Sequence, residues 1–139
     1  MTNRLFIDSN IWVYALSGQS EEREQKARAF ISNVIIDSHP VISYQVVNET
    51  MRVLKKLGKS ETELRKFIDN LFDTCEVVGF TKESALLASE LRETMSVSYW
   101  DSQIVASAYL ANCSMLVSED MHDGSLIRGS LTIKNIFNV

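Results

Sequence analysis

The sequence predicts an α/β fold, a three-layer α/β/α sandwich around a mostly parallel sheet of four or five strands. Short unbroken apolar runs alternate with longer segments of helical apolar spacing, the pattern of doubly buried strands joined by crossover helices. One proline and five glycines in 139 residues are too few for a loop-rich or all-β chain. Four acids, Asp8, Glu49, Asp101 and Asp120, fall at or near the ends of the predicted elements.

Residues 4–7 form the first apolar run, and Asp8-Ser9-Asn10 supplies capping side chains for a helix carrying Ile11, Trp12, Val13, Tyr14 and Leu16. A polar break at residues 18–20 precedes a second helix with Ala27, Phe30, Ile31 and Val34 on its apolar face. His39-Pro40 predicts a turn before a short strand at Val41-Ile42. From Ser43 a helix places Val46, Val47, Thr50, Val53, Leu54 and Leu57 on one side, Glu49 on the flank, and Gly58 as its stop. Ser60 to Glu63 is a capping box that opens a helix bearing Leu64, Phe67, Ile68, Leu71 and Phe72. A strand at Glu76–Phe80 follows, and Thr81 caps a helix with Ala85, Leu86, Ala88 and Leu91. Ser98 to Asp101 starts the last long helix, whose buried face holds Ile104, Val105, Ala108 and Ala111, with Asp101 projecting toward the centre of that face. Residues 115–117 form a strand, Asp123-Gly124 a turn, and Leu131-Thr132-Ile133 a final strand.

The length fits one domain, residues 1–139, and the 45% apolar and 23% charged composition is that of an ordinary soluble protein. No apolar stretch reaches the length of a membrane span, and the N-terminus from Met1 to Leu5 lacks the long apolar region of a signal peptide. Cys75 and Cys113 are too few and too far apart for a zinc pattern; two buried reduced thiols fit the cytoplasm. A net charge of −4 argues against broad adhesion to nucleic acid. The stretch from Arg52 to Lys66 is nonetheless net +4, and Arg52, Lys55 and Lys56 are candidates to hold an RNA backbone, although solvated helix faces explain the run equally well. Trp12, Tyr14, Tyr99 and Trp100 have faces suited to base stacking, but aromatics inside helical apolar patterns are expected in the core.

Each acid also has a plain explanation. Asp8 reads as a helix cap, Glu49 as a partner of Arg52 or Lys56, Asp101 as the end of a capping box opened by Ser98, and Asp120 as a solvated loop acid rivalled by Glu119 and Asp123. Their joint placement is what points to chemistry. Two carboxylates about 4 Å apart repel by roughly 4 kcal/mol at an effective dielectric near 20. A fold that gathers four must protonate some of them or neutralise them with a divalent cation, and a carboxylate-held metal beside water is the apparatus of phosphodiester hydrolysis. His39 and His122 are too isolated to suggest a metal pair or a triad.

Four segments, Leu5-Phe6-Ile7-Asp8-Ser9-Asn10, Val47-Asn48-Glu49, Tyr99 to Ala106 and Leu116-Val117-Ser118-Glu119-Asp120, occur in an order that resembles PIN-domain proteins. The similarity spans Leu5 to about Val139 and is nearest to small VapC-type ribonucleases, the toxins of toxin–antitoxin pairs. It implies a Mg²⁺- or Mn²⁺-dependent endoribonuclease in which Asp8 and Asp101 are the principal metal ligands. Glu49 and Asp120 would bind a second ion or its waters, and Asn10 and Ser118 would orient the quartet. It further implies 5′-phosphate and 3′-hydroxyl products, a small antitoxin partner lying in the acidic cleft, and a homodimer.

A PIN nuclease of RNA processing with no antitoxin is the nearest alternative. Haloacid-dehalogenase phosphatases also carry an aspartate after the first strand, but they need a second one two residues on, where this chain has Asn10. They and receiver domains also use a late lysine that is not evident here. A binding module whose acids only cap helices is the remaining alternative.

Overall fold

The computed structural model describes residues 4–138; Met1–Asn3 of the N-terminus and Val139 lie outside the described residues. The apolar runs are strands β1 (Leu5–Ile7), β2 (Val41–Ser43), β3 (Glu76–Val78), β4 (Met115–Val117) and β6 (Leu131–Lys134). A two-residue strand, β5 (Leu126–Ile127), is an addition to the sequence reading. Together they form one six-stranded sheet in the order β3-β2-β1-β4-β6-β5, parallel throughout except for β5, which pairs antiparallel with β6. Strand β3 ends at Val78, short of the expected Phe80, whose side chain is exposed.

Six helices connect the strands: α1 (Ser9–Leu16), α2 (Glu22–Asp37), α3 (Tyr44–Lys56), α4 (Glu61–Thr74), α5 (Lys82–Thr94) and α6 (Tyr99–Leu110). Helix α1 packs on α2 and α3, α3 on α4, and α5 on α6. The chain steps from β1 to β2 to β3 in one direction and returns past β1 to β4. Right-handed crossovers therefore put α1–α4 on one face of the sheet and α5–α6 on the other. The local starts follow from side chains: Ser43 accepts from Val46 N–H, Ser60 and Glu63 close a reciprocal box, and Thr81 forms a second box with Ser84. Gly58 ends α3 at φ 99°, a left-handed conformation that costs a glycine little.

Phe6, Ile7, Val41, Ile42, Leu116 and Val117 have no solvent exposure, as central strands covered on both faces require. Cys75 and Cys113 are free and buried, and burial pushes their thiols up to about 11 and about 12. Arg4 fastens the edge of the sheet remote from strand C-termini, donating to Ala111 O at 2.8 Å and pairing in bidentate fashion with Glu76. Among the described residues no helix is long and apolar enough to cross a membrane.

Candidate active site

Strand β1 is the point where the topology reverses, with β2 on one side and β4 on the other. Sheets of this kind bind ligands just beyond the strand C-termini at such a point. Asp8 follows β1 and Ser118 follows β4, and the register Ile7↔Val117 sets the two side by side. Two further ladder bonds, Asp8 N–H to Val117 O at 2.9 Å and Ser118 N–H to Lys134 O at 3.0 Å, carry the sheet pattern past the strand ends and fix both backbones.

The Asp8 carboxylate is buried. Oδ1 accepts from Ser9 N–H at 2.7 Å, and Oδ2 accepts from the Ser118 hydroxyl at 2.8 Å. Capping of α1 thus belongs to Asp8 alone. Burial pushes the Asp8 carboxyl up to about 6; the hydrogen bonds from Ser118 and Ser9 oppose this, while the charges of Asp101 and Glu49 add to it. Ser9 and Asn10, which the sequence suggested as caps, reach elsewhere. Ser9 Oγ donates to Glu49 Oε2 at 3.1 Å, tying the end of β1 to helix α3. Asn10 Nδ2 donates to Asp120 Oδ2 at 3.1 Å, and its Oδ1 accepts from Glu119 N–H at 3.4 Å.

Glu49 also accepts from Gln45 Nε2 at 3.0 Å, and the same amide donates to the backbone oxygen of Trp100 at 3.2 Å. Asp101 stands in the first turn of α6, where Ser98 caps its N–H at 3.1 Å. Its carboxyl is raised above the usual range by partial burial, against a bond from Ser98, with the charges of Asp120 and Glu49 adding to the rise. Asp101 is half-buried at the rim, not aimed into the core as the helical wheel implied. Residues 102–108 of α6 are all buried between sheet and α5, so this stretch of the helix has no wet side to contrast with a dry one.

The fold therefore brings Asp8, Glu49 and Asp101 within electrostatic reach of one another and Asp120 within reach of Asp101, from two strand ends and one helix of each outer layer. Among the described residues none of the four forms a salt bridge, and no three side chains already converge as a completed metal centre. The donors are all hard oxygens. Such a set fits a Mg²⁺-like ion, which needs only one or two carboxylates and keeps several waters.

The rival acids are occupied. Glu119 accepts from the Tyr14 hydroxyl at 2.7 Å and pairs with Arg23. Asp123 accepts from Asn135 N–H at 2.8 Å, which holds its carboxyl below the usual range. Of the cations, Lys55 pairs with Glu61. Arg52 borders a cavity that also includes Glu49. At 100° per residue Lys56 lies on Glu49's side of α3, two turns on, whereas Lys55 lies off it. The exposed His122 lines a recess of about 120 Å³ together with Asp101 and Asp120, a proximity its isolation in the sequence gave no hint of.

A mostly parallel α/β domain with an acidic cleft at its topological switch point is the class that fold and site define. The chain belongs to the PIN-domain family, whose sequence model matches residues 5–122. No curated protein matches the sequence significantly. Among solved structures, a toxin–antitoxin complex from Klebsiella pneumoniae superposes with a TM-score of 0.74 at 20% identity, covering 98% of this chain and 99% of that one. VapC20 of Mycobacterium tuberculosis, a toxin that cleaves the sarcin-ricin loop, gives 0.67 at 16% identity over 81% of this chain and 86% of its own. VapBC2 of Rickettsia felis, bound to a DNA fragment from its promoter, gives 0.68 at 18% identity over 94% and 98%. At these identities the likeness is one of fold.

Proposed function

We propose that this chain, as a single nuclease domain, is a metal-dependent endoribonuclease and the toxin of a toxin–antitoxin pair, held silent by a small antitoxin protein. The observation that carries the reading is that Asp8, Glu49 and Asp101 influence one another's charge and Asp120 that of Asp101, with no cationic side chain among the described residues paired to any of the four. Family membership and the toxin–antitoxin proteins among its structural relatives support it.

Asp8 and Asp101 would be the principal ligands of Mg²⁺ or Mn²⁺, and Glu49 and Asp120 would hold a second ion or its waters. When bound, the ion supplies positive charge to the scissile phosphate and lowers the pKa of a water beside it. The protein's part is placement. Ser118 and Ser9 N–H hold Asp8 in one rotamer, Ser9 Oγ and Gln45 hold Glu49, and Asn10 holds Asp120. Arg52 lines the cavity beside Glu49, and Lys56 lies further along the same side of α3, a direction in which a phosphate backbone would run. The two free thiols suit a reducing cytoplasm, and a homodimer is the assembly expected in solution.

Expression in a bacterial host tests the toxin reading directly. Wild type should arrest growth and Asp8→Asn should relieve the arrest; harmless expression of an enzyme active on RNA would count against toxicity.

A further inference from the structure

Beside the carboxylates lies a cavity of about 460 Å³ lined by Gln45, Asn48, Glu49, Arg52, Phe80 and Trp100. Its two aromatics stand open to solvent, Phe80 in the loop after β3 at 63% and Trp100 in the first turn of α6 at 64% exposure. Two exposed rings that line one cavity beside polar groups form the kind of patch that marks a ligand-binding groove. Trp100 is braced, with Tyr99 packed edge-on at 5.3 Å and the Arg92 guanidinium 4.3 Å from the Tyr99 ring centre. Its backbone oxygen is tied through Gln45 to Glu49, so the aromatic wall and the carboxylate site are linked through one amide side chain. Among the described residues the side chains of Asn48 and Arg52 have no hydrogen-bond or ion-pair partner. They offer a free amide and a free guanidinium at the cavity's edge.

We infer that this cavity is a nucleobase subsite, which takes one unpaired base of an RNA next to the cleaved phosphate. The base would lie against Trp100 and Phe80, with Asn48 at its polar edge and Arg52 on the adjoining phosphate. The inference rests on the ribonuclease reading and deepens it. Stacking walls with amide and guanidinium groups match a flat, polar-edged, anion-flanked ligand. A purely apolar helix of a partner protein would leave Asn48 and Arg52 facing it unpaired, which disfavours that occupant. Because Glu49 belongs to both cavity and cleft, the subsite selects which phosphate lies over the carboxylates.

The chain has two tryptophans, and Trp12 is buried at 3% exposure, so a base stacked in the cavity is read by fluorescence of Trp100. The probes are octaribonucleotides of each single base and an abasic ribose–phosphate octamer of equal charge, titrated without divalent metal. At least one base-bearing octamer should quench Trp100 and bind roughly tenfold or more tightly than the abasic one. Followed by the anisotropy of an end-labelled octamer, which needs no tryptophan, Trp100→Ala and Phe80→Ala should each lose that advantage, and Trp100→Phe should keep most of it. Equal binding of base-bearing and abasic octamers, or unaltered preference in both alanine variants, overturns the subsite. So does quenching by a cationic amphipathic peptide but by no octamer, which would assign the cavity to a protein partner. Since quenching reads binding alone, quenching without RNA cleavage would sink only the hydrolytic reading. Cleavage without quenching would sink only the subsite.

Discussion

Ser118 donates its hydroxyl hydrogen to Asp8 Oδ2 at 2.8 Å, inside the protein and across 110 residues of sequence. Among the described residues, that bond and the one from Ser9 N–H are what compensates Asp8 for giving up water, and they do not suffice: its carboxyl remains up at about 6. On the proposed reading, a bound cation would offset that cost.

In metal-free buffer Asp8 should therefore oppose folding at neutral pH. Its folded pKa lies above its ordinary 3.8, so the folded state binds the proton more tightly. The cost is fully present above about pH 6 and disappears as pH falls toward 4. A shift of about two units corresponds to roughly 3 kcal/mol. Asp8→Asn should be more stable than wild type in urea at pH 7.5 with a chelator present, and the gap should close by pH 4. A variant less stable than wild type at pH 7.5 would contradict this.

Removing the hydroxyl leaves Asp8 Oδ2 buried without its donor. Ser118→Ala should lose about 1–3 kcal/mol of stability and push the Asp8 carboxyl higher still. Its cleavage rate should consequently fall more steeply than that of wild type between pH 8 and pH 6. Parallel pH profiles would mean that Ser118 does not tune Asp8.

Glu119 and Asp120 are neighbours with different commitments. Glu119 is bound to Tyr14 and Arg23, and Asp120 takes its hydrogen bond from Asn10 in the cleft. Asp120→Asn should reduce cleavage by a hundredfold or more, of the order that loss of a charge-stabilising group costs. Glu119→Gln should reduce activity by less than about tenfold while lowering stability. Equal losses of activity would show that the two acids share the role.

Salt dependence separates the cations. Each phosphate contact of a single strand contributes about −0.7 to the slope of log affinity against log salt. Arg52→Ala with Lys56→Ala should flatten the slope by about 1.4. Lys55→Ala should change it less, since Lys55 already pairs with Glu61. An unchanged slope in the double variant would remove α3 from the path of the RNA.

Strand and helix positions were legible because burial on both faces writes unbroken runs such as Leu5-Phe6-Ile7, and because caps such as Ser60 with Glu63 act within four residues. Strand β5 escaped notice because two residues carry no periodicity; only pairing with β6 makes it a strand. The acids could be named from their order, but their tethers could not. Asn10 meets Asp120 across 110 residues and Ser9 meets Glu49 across 40, and neither distance leaves a local pattern. The aromatics divided for the same reason. Trp12 is buried with its indole N–H on Ile7 O, as its apolar neighbours suggested, whereas Trp100 stands at the polar start of α6, between Ser98 and Asp101, and lines a cavity. Helical spacing describes a helix in isolation, and α6 is enclosed on so many sides that its first turn is the part left open.

Cleavage of total RNA with Mg²⁺ or Mn²⁺ and with chelator, comparing wild type with Asp101→Asn and sequencing the cut ends, tests the central claim most directly. The expected result is metal-dependent cutting by wild type that leaves 5′-phosphate and 3′-hydroxyl ends, and none by Asp101→Asn. Undiminished cutting in chelator, or by the Asp101→Asn protein, would contradict it.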